Sequence, residues 1–413
     1  MPPMYYHDLE TETPRRRTGR KFKAALAVLD RALQAGGEVR TRLEAAGLAP
    51  GKVRTLADWG KIPPLRKKDL IALQAEHGLE PLLGCDIGQL KRIYQSPGPI
   101  FDPEGAGPDH WGWAEAFFAA GFRPGDLVQM TFSYHLTPAG LMLEEPLREI
   151  GCCVIPAGPG NTDVQVDLMR RLPVSGFVGM ASYLKVIGQK AAAAGLDPAT
   201  DLRLRTAFVA AEKLPESLRN EVQALFGCTV RQGYGTADSG CIAYECDALA
   251  GMHVSSRALV EICDPATGAP LPAGRVGEVV VTPLSLDYPL VRLATGDLSA
   301  LIPEPCPCGR TSQRLDGIQG RADDTAKVKG QFIYPAQAAG VMARFPQIAA
   351  WQLVVANPGG KDHLACRLVV RGDLDHAEFG TAFQAVMKLR PAVECVEAIA
   401  ADAPRLVDER RFD

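Results

Sequence analysis

The sequence predicts an α/β protein: a large N-terminal domain with mixed sheets covered by helices plus a β subdomain over residues 1–322, and a small α+β C-terminal domain over residues 323–413. Three observations carry this. A chain of 413 residues exceeds the size at which one hydrophobic core keeps growing, so at least two domains are expected. From Gly125 onward, short apolar runs alternate with helical stretches, the pattern of βαβ units. Beyond Gly251 the text turns strand-rich.

In chain order, Phe22, Leu26, Leu29, Leu33 and Leu43 are spaced for a helical region from Phe22 to Ala46, and a second helix over Lys67–Gly78 follows the Pro63-Pro64 break. Strands are expected at Leu127–Phe132, Cys152–Pro156, Gly176–Met180 and Thr206–Ala210. The helices between and before them are expected at Glu115–Ala120, Val164–Leu172 and Tyr183–Ala194. Ala258–Cys263, the turn Asp264-Pro-Ala-Thr-Gly268 and Gly277–Val281 predict a twisted β subdomain. In the last 90 residues, strands are expected near Trp351–Ala356 and Leu364–Arg371.

The composition, 46% hydrophobic and 23% charged, is that of an ordinary soluble protein. A net charge of −3 argues against a nucleic-acid-binding body, and the basic run Arg15–Lys23 reads as a solvated helix start. No apolar run reaches the roughly 20 residues of a membrane span, and the first residues lack a signal-peptide core. With eleven cysteines, an odd number, the chain is expected in the cytoplasm with reduced thiols. No Gly-x-Ser-x-Gly elbow and no Gly-x-Gly-x-x-Gly after an early strand are present, which removes the serine hydrolase and dinucleotide oxidoreductase readings.

Cys246, His253, Cys306 and Cys308 form two close pairs from distant parts of the chain, a donor set suited to a closed tetrahedral zinc site of structural role. Three further stretches carry residue types suited to a nucleotide, none telling alone: Arg292-Leu-Ala-Thr295-Gly296-Asp297, Gly320-Arg321-Ala-Asp323-Asp324 and Lys329–Pro335. A carboxylate after Thr-Gly suits the vicinal hydroxyls of a ribose, and a nearby Arg suits phosphate.

Together with Val209-Ala-Ala211-Glu212, Gly233-Tyr234-Gly235-Thr236-Ala-Asp238 and Cys306-Pro-Cys308-Gly309-Arg310, these stretches resemble the phenylacetate–CoA ligase family of the adenylate-forming acyl-CoA synthetases, over nearly the whole chain. The resemblance implies ATP-dependent activation of an aryl or arylacetic acid as an acyl-adenylate and transfer to CoA. In that reading Ala211 and Glu212 border adenine, Tyr234, Gly235 and Thr236 lie against the nucleotide, Asp238 holds Mg2+, Asp297 binds ribose and Arg321 contacts ribose or phosphate. Asp323 becomes the hinge of a mobile C-terminal domain. Many family members carry a zinc site that matches the Cys/His set, and the resemblance also implies a homodimer. Tyr134 and His135 are placed to line an acid pocket or polarise a carboxylate.

Two departures bear on ATP cleavage. The stretch Tyr94–Gly105 stands where the family carries a Ser/Thr/Gly loop ending in Gly-Lys, yet it has one Ser, prolines at 97, 99 and 103, no Lys, and the acids Asp102 and Glu104. A structural turn is expected there. Near the C-terminus, Glu409 or a neighbour stands where the family has a catalytic Lys, and Ala294 stands where a second Arg is often seen near the ribose motif. Two outcomes follow: a working ligase that draws on Arg292, Arg321, Arg410 or Arg411, or a protein that binds AMP or acyl-CoA as a sensor with weak or no adenylation.

Overall fold

The structure, a computed structural model, describes residues 4–96, 98–322, 326–329, 331–333, 335–400 and 403–410. It divides into two compact units, residues 1–320 and 321–413.

The first unit opens with helices α1 (Pro14–Ala35), α2 (Glu38–Ala45) and α3 (Leu56–Trp59). The helical region expected over Phe22–Ala46 is thus two helices, because Gly36 and Gly37 interrupt it: Gly36 is fully extended and a Cβ there would meet the carbonyl of Pro81 at 2.5 Å. The basic run is also less solvated than expected. Arg17 is buried and donates to the carbonyls of Glu12 (2.7 Å) and Thr311, while Lys21 donates to Ser255 O at 2.6 Å. Burial pushes the Lys21 ammonium down to about 7.

A two-residue strand β1 (Leu65–Arg66) leads directly into α4 (Lys67–His77), and then comes an antiparallel hairpin of β2 (Arg92–Ser96) and β3 (Ile100–Glu104). The stretch expected as a structural turn is this hairpin. After α5 (Ala114–Ala120), the chain alternates β4 (Leu127–Met130), α6 (Ala139–Ile150), β5 (Cys153–Pro156), α7 (Thr162–Arg171), β6 (Gly176–Gly179), α8 (Ala181–Ala193), β7 (Thr206–Val209), α9 (Glu216–Phe226) and β8 (Thr229–Thr236). These strands pair in parallel in the order β5-β4-β6-β7-β8, each within a residue or two of its sequence-based bounds where one was set.

β8 then turns back antiparallel into β9 (Gly240–Glu245), and β10 (Met252–Val254) continues that sheet. The next strands build a second sheet. β11 (Ala258–Cys263), β12 (Gly277–Pro283) and β13 (Leu293–Ser299) pair antiparallel in sequence, and β1 joins parallel to β13 with Leu65 opposite Leu293 and Arg66 opposite Ala294. The core sits where these layers meet. Phe117, Phe122 and Phe208 fill one side of the parallel sheet, Phe177 and Phe226 the other, and Leu65, Ile242, Val279 and Leu293 pack between the two sheets.

The second unit is α+β: a four-stranded sheet built on the antiparallel pair Ile348–Ala356 and His363–Val370, flanked by parallel strands Ala392–Cys395 and Leu406–Asp408. Helices Pro335–Met342 and His376–Met387 cover one face, with Phe345, Phe379 and Phe383 at their contact. Among the described residues, no helix is long and apolar enough to cross a membrane.

Candidate functional site

The end of β8 gathers most of the predicted nucleotide residues. Its glycines are there because aromatic rings press on the backbone: a Cβ at Gly233 would meet Phe208 at 2.3 Å, and one at Gly235 would meet the carbonyl of Gly240 at 2.2 Å and Trp113 at 2.5 Å. Between them Tyr234 reaches across to β13, where its hydroxyl donates to Asp297 Oδ2 at 2.8 Å and lies 3.1 Å from Thr295 Oγ1. Thr295 Oγ1 donates to Val279 O at 2.9 Å and accepts from the Asp297 amide at 3.1 Å. The half-buried Asp297 carboxylate is therefore held at a fixed angle from one side. That arrangement suits a pair of vicinal hydroxyls.

Ala211, just beyond β7, adopts φ 72°, a left-handed conformation that turns the chain across the sheet edge. Glu212 is then drawn into capping α8: its carboxylate accepts from Ser182 N and Ser182 Oγ, each at 2.8 Å, and its carbonyl accepts from Gln232 Nε2 at 3.0 Å. Both residues thus sit at the C-terminal edge of β6, β7 and β8, where open α/β sheets hold ligands.

Asp238 is 4% exposed and heavily contacted. Thr236 Oγ1 and Ser239 Oγ (3.1 Å) donate to its Oδ1, and Lys67 Nζ lies 3.2 Å from Oδ2. A carboxylate beside a threonine hydroxyl is a hard-oxygen donor pair of the kind that Mg2+ takes.

Next to this acid lies the hairpin. Lys91 and Arg92 pair with Glu104 and Glu145, Tyr94 donates to Glu104 Oε2 at 2.7 Å, and the Gln74 side-chain amide exchanges hydrogen bonds with both N (2.7 Å) and O (3.0 Å) of Phe101. The two acids of this stretch are buried rather than on its rim: Glu104 is 1% exposed and Asp102 0%. Among the described residues neither carboxylate oxygen of Asp102 has a well-formed hydrogen bond, with Ser96 its nearest polar neighbour. Burial, then the charge of Asp238, pushes its carboxyl up to about 8.

A pH dependence follows. The folded protein keeps on Asp102 a proton that the unfolded chain gives up above about pH 4, so stability falls as pH rises from about 4 to about 8. Asp102→Asn is expected to lose less stability than the parent between pH 5.5 and 8.5, read from urea midpoints. Equal losses would contradict this assignment.

The predicted acid pocket is on the loop after β4. Tyr134 donates to Glu144 Oε2 at 2.6 Å and packs on Gly140, whereas His135 is exposed on the same loop. Leu136 accepts from the amide of Gln95 at 2.9 Å, which ties this loop to the hairpin.

The metal quartet brings together two distant parts of the chain. The ligand atoms of Cys246, His253, Cys306 and Cys308 all lie within 4.8 Å of one another. Cys246 Sγ and Cys306 Sγ are 3.7 Å apart, and Cys308 Sγ is 3.3 Å from His253 Nε2. A tetrahedral zinc has donor–donor edges of about 3.5–3.8 Å, so the cage fits that ion. His253 Nδ1 lies 3.0 Å from Ser312 Oγ, which leaves Nε2 for the metal. Burial, with Arg310 and Arg314, pushes the imidazole down to about 4, in the neutral form a ligand needs.

Of the cations named as replacements for the missing lysines, Arg292 is fully buried and spent on structure. It pairs with Glu261 (2.9 Å) and donates to the carbonyls of Gly60 (3.1 Å), Ile62 and Gly268 (2.9 Å). Arg410 is held by Asp408 and Asp362, and Glu409 pairs with Arg367 at 3.4 Å. Arg321 is half-buried and is the first residue of the second unit. Asp323 and Arg411 lie outside the described residues. Lys67, beside Asp238, is not among the residues singled out from sequence, because the pairing of Leu65-Arg66 with β13 that brings it there is non-local.

Comparison with known proteins places these features in context. The model for AMP-binding enzymes matches residues 121–284. The phenylacetate-coenzyme A ligase of Thermus thermophilus is 31% identical over 344 residues, 80% of this chain and 76% of that protein. The phenylacetate-coenzyme A ligase of Escherichia coli is 28% identical over 88% of this chain and 84% of its own. Among solved structures, 2-hydroxyisobutyryl-CoA ligase in complex with 2-HIB-AMP and CoA superposes with a TM-score of 0.91 at 23% identity, covering 100% of this chain and 94% of that one. At that identity the likeness is one of fold.

Proposed function

The chain belongs to the phenylacetate–CoA ligase family of adenylate-forming enzymes, and from that premise we propose that it acts as an AMP-forming acid–CoA ligase on an aryl or arylacetic acid. The observation that carries this reading is the Tyr234–Asp297 contact at 2.8 Å, which fixes a ribose acceptor beside the strand end bearing Thr236 and Asp238. The alternative of a sensor without adenylation is not favoured, since the relatives matched over most of the chain are ligases.

In this reading Asp297 accepts from the ribose hydroxyls, and Ala211, Glu212 and Gly235 form the wall for the adenine plane. Tyr134 and the exposed His135 face the acid. Asp238 and Thr236 would hold Mg2+, which neutralises phosphate charge when bound. Arg321 contacts ribose or phosphate, and Asp323 is the hinge between a domain over residues 1–322 and one over 323–413; both roles rest on the family resemblance. The Cys246, His253, Cys306 and Cys308 cage is a structural zinc site with no open position for catalysis. Eleven unpaired thiols support a reducing, cytoplasmic setting, and a homodimer is taken from the resemblance.

The test is product analysis with ATP, Mg2+, CoA and a panel of benzoic, phenylacetic and short aliphatic acids. The reading expects AMP and an acyl-CoA in equal amounts, with an aromatic acid preferred. An aliphatic preference would overturn the substrate class.

A further inference from the structure

We propose that Lys67 is a catalytic residue of the adenylation step, the ammonium that meets the α-phosphate and the incoming carboxylate; this rests on the ligase reading above. Four observations place it there. Its Nζ is 3.2 Å from Asp238 Oδ2, with its side chain 15% exposed, so the charge stands at the site and not in bulk solvent. Its backbone is set by the strand before it: Leu65 and Arg66 run parallel to Leu293 and Ala294, and Lys67 opens α4 directly after this pair, so its position is tied to the strand that carries the ribose motif. Seven residues on, Gln74 of the same helix grips Phe101 on both sides and donates to the Tyr288 hydroxyl at 2.8 Å, so lysine and hairpin share one rigid support. Finally, the neighbouring arginines are committed elsewhere: Arg66 to Glu278 and Pro265 O, and Arg292 to Glu261.

The chemistry needs a cation at this point. An oxygen of the acid forms a bond to the α-phosphorus, and the bond from that phosphorus to the oxygen bridging to the β-phosphorus breaks. The electron pair leaves with pyrophosphate, and no proton moves. Two anions must approach each other, and charge builds on the leaving oxygen. An ammonium already desolvated beside Asp238 offsets both without reorganising. It is compact enough to contact a phosphate oxygen and a carboxylate together, as a planar guanidinium is not. In the second step the thiol of CoA, losing its proton, attacks the acyl carbon, the bond from that carbon to the phosphate oxygen breaks and AMP leaves, so a cation that offsets repulsion between an approaching carboxylate and a phosphate is no longer required.

The experiment measures the half-reactions separately in the full-length protein. Acid-dependent ATP–pyrophosphate exchange reports the first, and CoA thioester formation from a synthetic acyl-adenylate reports the second. Lys67→Met is expected to lower exchange by about 100-fold or more through kcat, with KM for ATP changed by less than about 3-fold. Thioester formation from the supplied adenylate should stay within about 10-fold of the parent. Exchange within about 3-fold of the parent, or equal losses in both half-reactions, would overturn the proposal. If Lys67→Met misfolds, Lys67→Arg keeps the ion pair and decides the matter: exchange below about a tenth of the parent supports the role, and parental exchange assigns Lys67 to structure alone. Failure of the parent to exchange with any acid would instead overturn the ligase reading, and this proposal with it.

Discussion

Asp297→Ala is expected to lower kcat/KM for ATP by about 100-fold while leaving the fold intact. The carboxylate is the acceptor for two ribose hydroxyls, and each charge-assisted hydrogen bond contributes about 1.5–3 kcal/mol. Loss of both accounts for the factor. The fold survives because Asp297 is half-buried and its partner Tyr234 keeps Thr295 at 3.1 Å. Tyr234→Phe should act on the same term more weakly, since it frees the carboxylate without removing it. Steady-state kinetics with ATP as the varied substrate, alongside thermal melts, would read both. A parental kcat/KM for Asp297→Ala would place the ribose elsewhere.

Cys306→Ser is expected to lower the zinc content from one ion per chain to well below half, by elemental analysis, and to destabilise the first unit by at least about 3 kcal/mol, about 6 °C or more in Tm. The loss extends beyond the cage because the Cys306–Arg310 turn anchors the chain's beginning. Tyr5 donates to Cys308 O at 3.0 Å, Arg310 pairs with buried Glu10, and the Thr311 amide donates to Glu10 O at 3.0 Å. Glu10 in turn accepts from the Tyr6 amide at 2.6 Å. Freeing the turn therefore loosens residues 5–17 as well, and faster amide exchange there would accompany the drop in Tm. An unchanged Tm in a zinc-free variant would mean the cage is incidental.

What the sequence reveals and conceals divides along the line between local and non-local order. The βαβ strands were legible because each is a short apolar run closed by a turn, and Asp297 because Thr-Gly-Asp is a contiguous motif. The cysteine pair at 306 and 308 was local too, but its partners at 246 and 253 became convincing only through the family pattern, since their meeting depends on β10 pairing against β9 and Arg314–Leu315. Lys67 escaped notice for the same reason. Nothing in Leu65-Arg66-Lys67 announces that it will lie beside a strand more than 200 residues away. Arg292 was misjudged in the opposite sense: an Arg in a nucleotide motif looks like a phosphate ligand, yet carbonyls of Gly60, Ile62 and Gly268 converge on it from outside the motif. In Tyr94–Gly105 the acids looked hostile to phosphate, but the alternation of the hairpin turns Asp102 and Glu104 inward.

The central claim is that this chain forms an acyl-adenylate although the phosphate loop and the C-terminal lysine of its family are altered. Its most direct test is ATP–pyrophosphate exchange without CoA, using the acid that gives the most acyl-CoA. Exchange that requires the acid and Mg2+, and that falls with Asp297→Ala, is the predicted result. No acid-dependent exchange by a protein that still binds AMP would contradict it.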